Sequence, residues 1–88
     1  MISHETRVKS AFAKLKLNHS FNKNQIDWLN RIEKVLLEES VLDEQIFEVG
    51  AFKNAGGFMI IDRRFGGKLR EIITELNQYL YDDGGNVA

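Results

Sequence analysis

The stretch GGFMIIDRRFGGKLREII, residues 56 to 73, gathers the residue types that could do chemistry: two glycine pairs, a Gly67-Lys68 step, and the basic group Arg63, Arg64, Lys68 and Arg70. Glycine followed by lysine suggests a phosphate cradle, in which bare backbone N–H groups wrap an anion, the lysine reaches its outer oxygens and a hydroxyl holds the metal. Spacing removes that option. The first glycine of the pattern would fall on Asp62 and the hydroxyl on Leu69. A dinucleotide fingerprint is also absent, since no G-x-G-x-x-G occurs and no βαβ unit surrounds the pairs. The glycines are therefore expected to mark the ends of structural elements.

Other routes to catalysis are equally bare. His4 and His19 are too far apart to share a helical turn, and neither sits among potential metal ligands. There is no cysteine, which excludes disulfides, cysteine–zinc sites and thiol chemistry. Carboxylates are plentiful, but they fall on predicted polar faces without the desolvating surroundings that tune an acid or base. The sequence predicts no catalytic, cofactor-binding or metal-binding residue.

What remains is contact chemistry. Arg63, Arg64, Lys68 and Arg70 flank the Gly66-Gly67 turn and could touch DNA at a corner between two helices, dock an acidic partner, or pair within the fold. A formal net charge of −1 gives little general attraction to phosphate. Trp28 falls one position off the main apolar stripe, so it either completes the core or contacts a partner. Tyr79 and Tyr81 flank Leu80 and cannot both face inward. At least one of them is expected to be an exposed aromatic contact.

These residues must be carried by helices. Residues 4 to 17 set Val8, Ala11, Phe12 and Leu15 at helical spacing behind Ser3 as a cap. Asn22 and Gln25 form a capping-box variant, with Phe21 and Ile26 at staple positions, and Ile26, Leu29, Ile32 and Leu36 run as a stripe to about Glu39. Asp43 can cap a short turn carrying Ile46 and Phe47, and residues 50 to 55 form another brief turn around Phe52. FMII, residues 58 to 61, could be a buried strand but has no partner strand, so a helix placing Phe58, Ile61 and Phe65 on one face is preferred. Leu69, Ile72, Ile73, Leu76 and Leu80 predict a final helix from Lys68 to Tyr81, followed by a frayed tail, residues 82 to 88.

With 88 residues, 43% of them hydrophobic and 28% charged, the chain can build one small core but not a core plus a deep cleft. No apolar run approaches the ~20 residues that span a bilayer. Absent a signal peptide or anchor, a cytoplasmic setting without membrane contact is expected. Charge alternates in blocks: about residues 1 to 20 it is +3, over 21 to 52 −4, over 53 to 70 +4 and over 71 to 88 −4. Such blocks suit complementary surfaces, within the fold or with a partner.

The ordered set FNKNQIDWLNRI (21 to 32), IFEVGAF (46 to 52), GGF (56 to 58), FGGKLREII (65 to 73) and ELNQYL (75 to 80) resembles the C-terminal domain of the R subunit of type I restriction enzymes. The resemblance covers about residues 20 to 81. Two features depart from the family pattern: Gly67 stands where a polar or acidic residue commonly follows Phe-Gly, and FMII is more apolar than usual. The resemblance implies a helical module at the end of a large ATP-dependent translocase and site-specific deoxyribonuclease. Its ATPase and nuclease residues, with their ATP and Mg, would lie upstream. It further implies attachment to the methyltransferase and specificity subunits.

The expectation is thus an all-α fold, a small helical domain of three main helices plus short helical turns. Residues 1 to 19 would be an N-terminal helix or link to the upstream part of a larger subunit, 20 to 81 the C-terminal helical domain, and 82 to 88 a flexible tail. Its role would be docking the R subunit onto the methyltransferase–specificity core, without catalysis of its own. The alternatives are a DNA-contacting module using the 63–70 corner and a purely structural cap on the upstream chain.

Overall fold

A computed structural model describes residues 3–39 and 42–82 of the chain. Helix α1 spans His4–Asn18, α2 Lys23–Glu38, α3 Gly50–Lys53, α4 Gly57–Arg64 and α5 Leu69–Asn77. A 3₁₀ turn, Glu44–Glu48, precedes α3, and α5 runs on through a π-helical turn, Gln78–Asp82. No strand forms among the described residues, so the fold is all-α and FMII is helical. Residues 83 to 88, where most of the tail was expected, lie outside the described residues.

The starts of the elements follow from side-chain oxygens that take up otherwise orphaned N–H groups. Thr6 N–H donates to Ser3 Oγ at 3.1 Å, opening α1. At α2, Gln25 N–H donates to Asn22 Oδ1 at 2.8 Å and Asn22 N–H to Gln25 Oε1 at 3.0 Å, a complete capping box. Gln45 N–H donates to Asp43 Oδ1 at 2.8 Å, opening the 3₁₀ turn.

Helix ends are closed from a distance. His4 Nε2 donates to the Leu36 carbonyl at 2.9 Å, which occupies an acceptor in the last turn of α2. Arg7 Nη1 reaches the Leu80 carbonyl at 3.4 Å and brings positive charge to the negative end of the last helical segment. Each contact crosses between elements, so helix termination and packing are one event.

One core joins every element. Val8, Phe12 and Leu15 of α1 meet Leu29, Ile32 and Leu36 of α2, Phe47 and Phe52 of the short turns, Ile61 of α4, and Leu69, Leu76 and Leu80 at the end. The middle of the core is aromatic: Phe47 lies 5.4 Å from Phe52 and 5.4 Å, edge-on, from Phe58, while Trp28 is 6.4 Å from Phe52. Burying such rings contributes roughly 3–5 kcal/mol each, judged by truncation to alanine. The domain measures 40 × 27 × 18 Å. Its thinnest dimension admits about two helix diameters of ~10 Å, so surface features are shallow recesses.

The glycine pairs are the joints. Gly66 and Gly67 have φ of 64° and 79°, with Gly66 N–H donating to the Arg63 carbonyl at 3.1 Å and Gly67 N–H to the Asp62 carbonyl at 2.9 Å. This is a Schellman closure of α4, which needs a residue tolerant of left-handed backbone. Asp62 then does a second job. Its Oδ1 accepts from Leu69 N–H at 3.0 Å and so opens α5, because Lys68 at the cap position supplies no side-chain bond.

Candidate functional site

The basic corner does not form one patch. Arg70 is committed within the domain: its Nη1 lies 2.6 Å from Glu44 Oε1 and its guanidinium sits 5.3 Å from the Phe58 ring centre. Lys68 is on the rim of a groove between the α1–α2 joint and α5, and Arg64 lines a separate recess with Asn24, Asp27, Trp28 and Arg31. Arg63 is exposed beside it in sequence. Arg63 and Arg64 have no ion-pair partner among the described residues.

The aromatic candidates also separate. Trp28 is not an exposed contact: it is 9% accessible, packs on Phe52, and is covered by Arg31, whose guanidinium lies 4.8 Å from the ring centre. Its off-stripe position places it at the edge of the core, where a cation can lid it. Tyr79 is partly buried, and Tyr81 is 50% exposed. The geometry thus brings Trp28 close to Arg64, and it keeps Tyr79 and Arg70 in internal contacts.

A clamp that sequence spacing did not reveal joins α1 to α5. Asn18 Nδ2 donates to the Tyr79 hydroxyl at 2.7 Å, Tyr79 donates to Glu75 Oε2 at 2.7 Å, and His19 Nε2 lies 2.8 Å from Glu75 Oε1. Burial acts to raise the Glu75 pKa, but the bonds from His19 and Tyr79, with the histidine's charge, outweigh it and hold the carboxyl below its ordinary value. Donation to Glu75 pushes Tyr79 up, the largest of the influences on it. Both carboxylate oxygens of Glu75 are engaged, so the group serves as a tie between helices. The partners are 56 and 61 residues apart in sequence, and only the i,i+4 pairing of Glu75 with Tyr79 carried a local signal.

The adjoining groove holds about 460 Å³ and is lined by Phe21, Phe65, Lys68, Glu71 and Glu75 among others. Its floor is aromatic, with His19 stacked on Phe21 at 5.3 Å and Phe21 edge-on to Phe65 at 6.1 Å. No cluster of three or more His, Asp or Glu side chains able to hold a metal ion occurs among the described residues, and none of the helices described is long and apolar enough to cross a membrane.

The sequence that builds this helical domain matches a known family. The family model described as EcoEI R protein C-terminal matches residues 1–81. The chain belongs to that family. It is the C-terminal region of type I restriction enzyme R subunits, and the match takes in α1 together with the motifs from residue 20 onward. This R protein C-terminal domain is also 30% identical over 79 residues to the Type I restriction enzyme EcoKI endonuclease subunit of Escherichia coli (strain K12). That alignment covers 90% of this chain and 7% of the relative. The chain therefore spans a small fraction of the length of the curated relative it matches. No solved structure matches it.

Proposed function

We propose that this domain is a non-catalytic docking module, which holds the R subunit of a type I restriction enzyme on the methyltransferase and specificity subunits. Family membership carries the reading: a C-terminal region of a subunit that belongs to a multi-subunit enzyme, built here as a helical unit with shallow recesses. The ATP-dependent translocation and DNA cleavage of the parent enzyme, with its ATP and Mg, are assigned to the upstream polypeptide. In this arrangement α1 connects the domain to that upstream part, while its Val8–Leu15 stripe seals the shared core.

The test is assembly. An R subunit lacking residues 20–88 is expected to lose co-purification with the methyltransferase–specificity core while the intact subunit retains it. Undiminished assembly of the deletion variant overturns the proposal. DNA contact by the basic corner is the second reading, favoured by Arg63 and Arg64, which are exposed and have no ion-pair partner among the described residues. It is weakened by Arg70, which is already committed to Glu44.

A further inference from the structure

Two sets of cations contrast, apart from Arg70 on Glu44 and the exposed Lys23, Lys34, Lys53 and Lys68, which make no ion pair among the described residues. Those of α1 are engaged by the chain itself: Arg7 on the Leu80 carbonyl, Lys9 on Glu5 at 3.1 Å, Lys14 over the Tyr79 ring at 5.8 Å and Lys16 on Asn30 Oδ1 at 2.8 Å. Those at the junction of α4 with α2 are different. Arg63 and Arg64 are exposed, and neither has a carboxylate partner among the described residues. Arg31 rests its face on Trp28 and makes no ion pair among the described residues. Arg64 and Arg31 line the same recess, of about 230 Å³, with Asp27 the one carboxylate beside them.

On the same helix as Arg63 and Arg64 stands Met59, at 69% the most exposed large hydrophobic side chain outside α1 among the described residues. It lies one helical turn before Arg63, so the two share a face of α4. Methionine and arginine are the types enriched in the centre of protein interfaces, where lysine and carboxylates are depleted. A flexible apolar side chain also suits packing against another protein surface, whereas phosphate backbones offer it nothing.

We propose that Met59, Arg63, Arg64 and Arg31 form the docking face, and that its occupant is a protein surface bearing carboxylates around an apolar contact. The guanidinium forks match carboxylates in pairs, and none of these three arginines is ion-paired among the described residues. The proposal rests on the docking function above and assigns it to one face.

The experiment measures the Kd between the full R subunit and the methyltransferase–specificity core for four forms: wild type, Arg63→Glu/Arg64→Glu, Met59→Asp, and a control reversal on α1, Lys9→Glu. The double reversal is expected to weaken binding about a hundredfold, roughly tenfold per arginine, and to flatten the salt dependence of Kd. Met59→Asp should weaken binding about tenfold and Lys9→Glu less than twofold. All three substituted positions in the test variants are exposed, so unchanged far-UV circular dichroism is expected alongside. If removal of residues 20–88 abolishes assembly but neither test variant weakens it, the docking function stands and this face is the wrong one. A loss of the same size with Lys9→Glu marks a general charge effect and also overturns the assignment. A double reversal that loses duplex-DNA affinity while keeping its partner reassigns the face to DNA.

Discussion

The two glycine pairs can be told apart by one substitution in each. At Gly66, φ is 64° and no heavy atom lies within 4 Å of where a Cβ would sit. Alanine there pays only for left-handed backbone, roughly 1–2 kcal/mol. At Gly56, φ is 99°, outside the small left-handed region open to side chains, and the added Cβ would stand 2.8 Å from Ile60 Cβ and overlap Ile60 Cγ1. The Ile60 Cβ is fixed to the helix backbone and cannot swing away. Overpacking of this kind adds about 1–3 kcal/mol to the backbone strain. For a domain of this size each kcal/mol lowers Tm by about 4–8 °C, so Gly66→Ala should unfold roughly 4–16 °C below wild type. Gly56→Ala should fall further, by roughly another 4–24 °C. Thermal unfolding followed by circular dichroism measures both, and Gly66→Asn provides a control, because asparagine tolerates the left-handed region better than alanine and should recover part of the loss. Equal shifts for the two alanine variants would refute the steric part of this reasoning. A Gly66→Ala variant as stable as wild type would refute the requirement for left-handed backbone in the Schellman turn.

The clamp predicts a pH signature. Because Glu75 has a lowered pKa in the fold, its contribution is present above the usual carboxylate range and is lost as pH falls through the folded-state value. Urea midpoints measured against pH should therefore drop on the acid side, and Glu75→Gln should flatten that part of the profile. The raised pKa of Tyr79 works on the other side: its O–H bond to Glu75 holds below the usual phenol range and is lost as pH rises through the folded value. Ultraviolet titration of tyrosinate should show one tyrosine ionising late, and Glu75→Gln should return it to the ordinary range. At the α4–α5 corner, Asp62→Ala removes the acceptor of Leu69 N–H and should cost about 1 kcal/mol in chemical denaturation, while Asp62→Asn should cost less.

Local signals in the sequence located the elements well, because capping is chemistry between residues two or three apart. Ser3, the Asn22–Gln25 box and Asp43 each cap where their spacing placed them. The all-α class followed from apolar stripes whose period is a property of the helix itself. Long-range polar contacts had no such period. His19 with Glu75, Asn18 with Tyr79 and Arg70 with Glu44 depend on which helix ends meet, and that is decided only when the core packs. The dual use of Asp62 leaves no local signal for a related reason, since its side chain caps a helix seven positions later, across the Gly66-Gly67 turn. Trp28 was ambiguous because the stripe is a set of angles and an indole at its margin can turn either way; Arg31 decides the matter by covering its face.

The charge blocks illustrate the same division. Read along the chain, residues 1 to 20 and 53 to 70 are equivalent basic segments facing acidic ones. In the fold they part company. The first is consumed by α1's own neighbours, where Arg7 and Lys16 serve helix packing and Lys9 makes an exposed i,i+4 pair worth about 0.3–0.5 kcal/mol. Within the second, Arg70 alone is tied to a carboxylate, and Arg63 and Arg64 stand clear of any among the described residues. An unpaired exposed arginine costs the fold little, because water solvates it. Its worth rises when a partner excludes that water, since a charge-assisted, forked bond strengthens as the surroundings become less polar. Net charge is therefore a poor guide to where this domain binds. A better guide is where the fold leaves arginines without a carboxylate among the described residues, and Arg31, Arg63 and Arg64 do so at the α4–α2 junction.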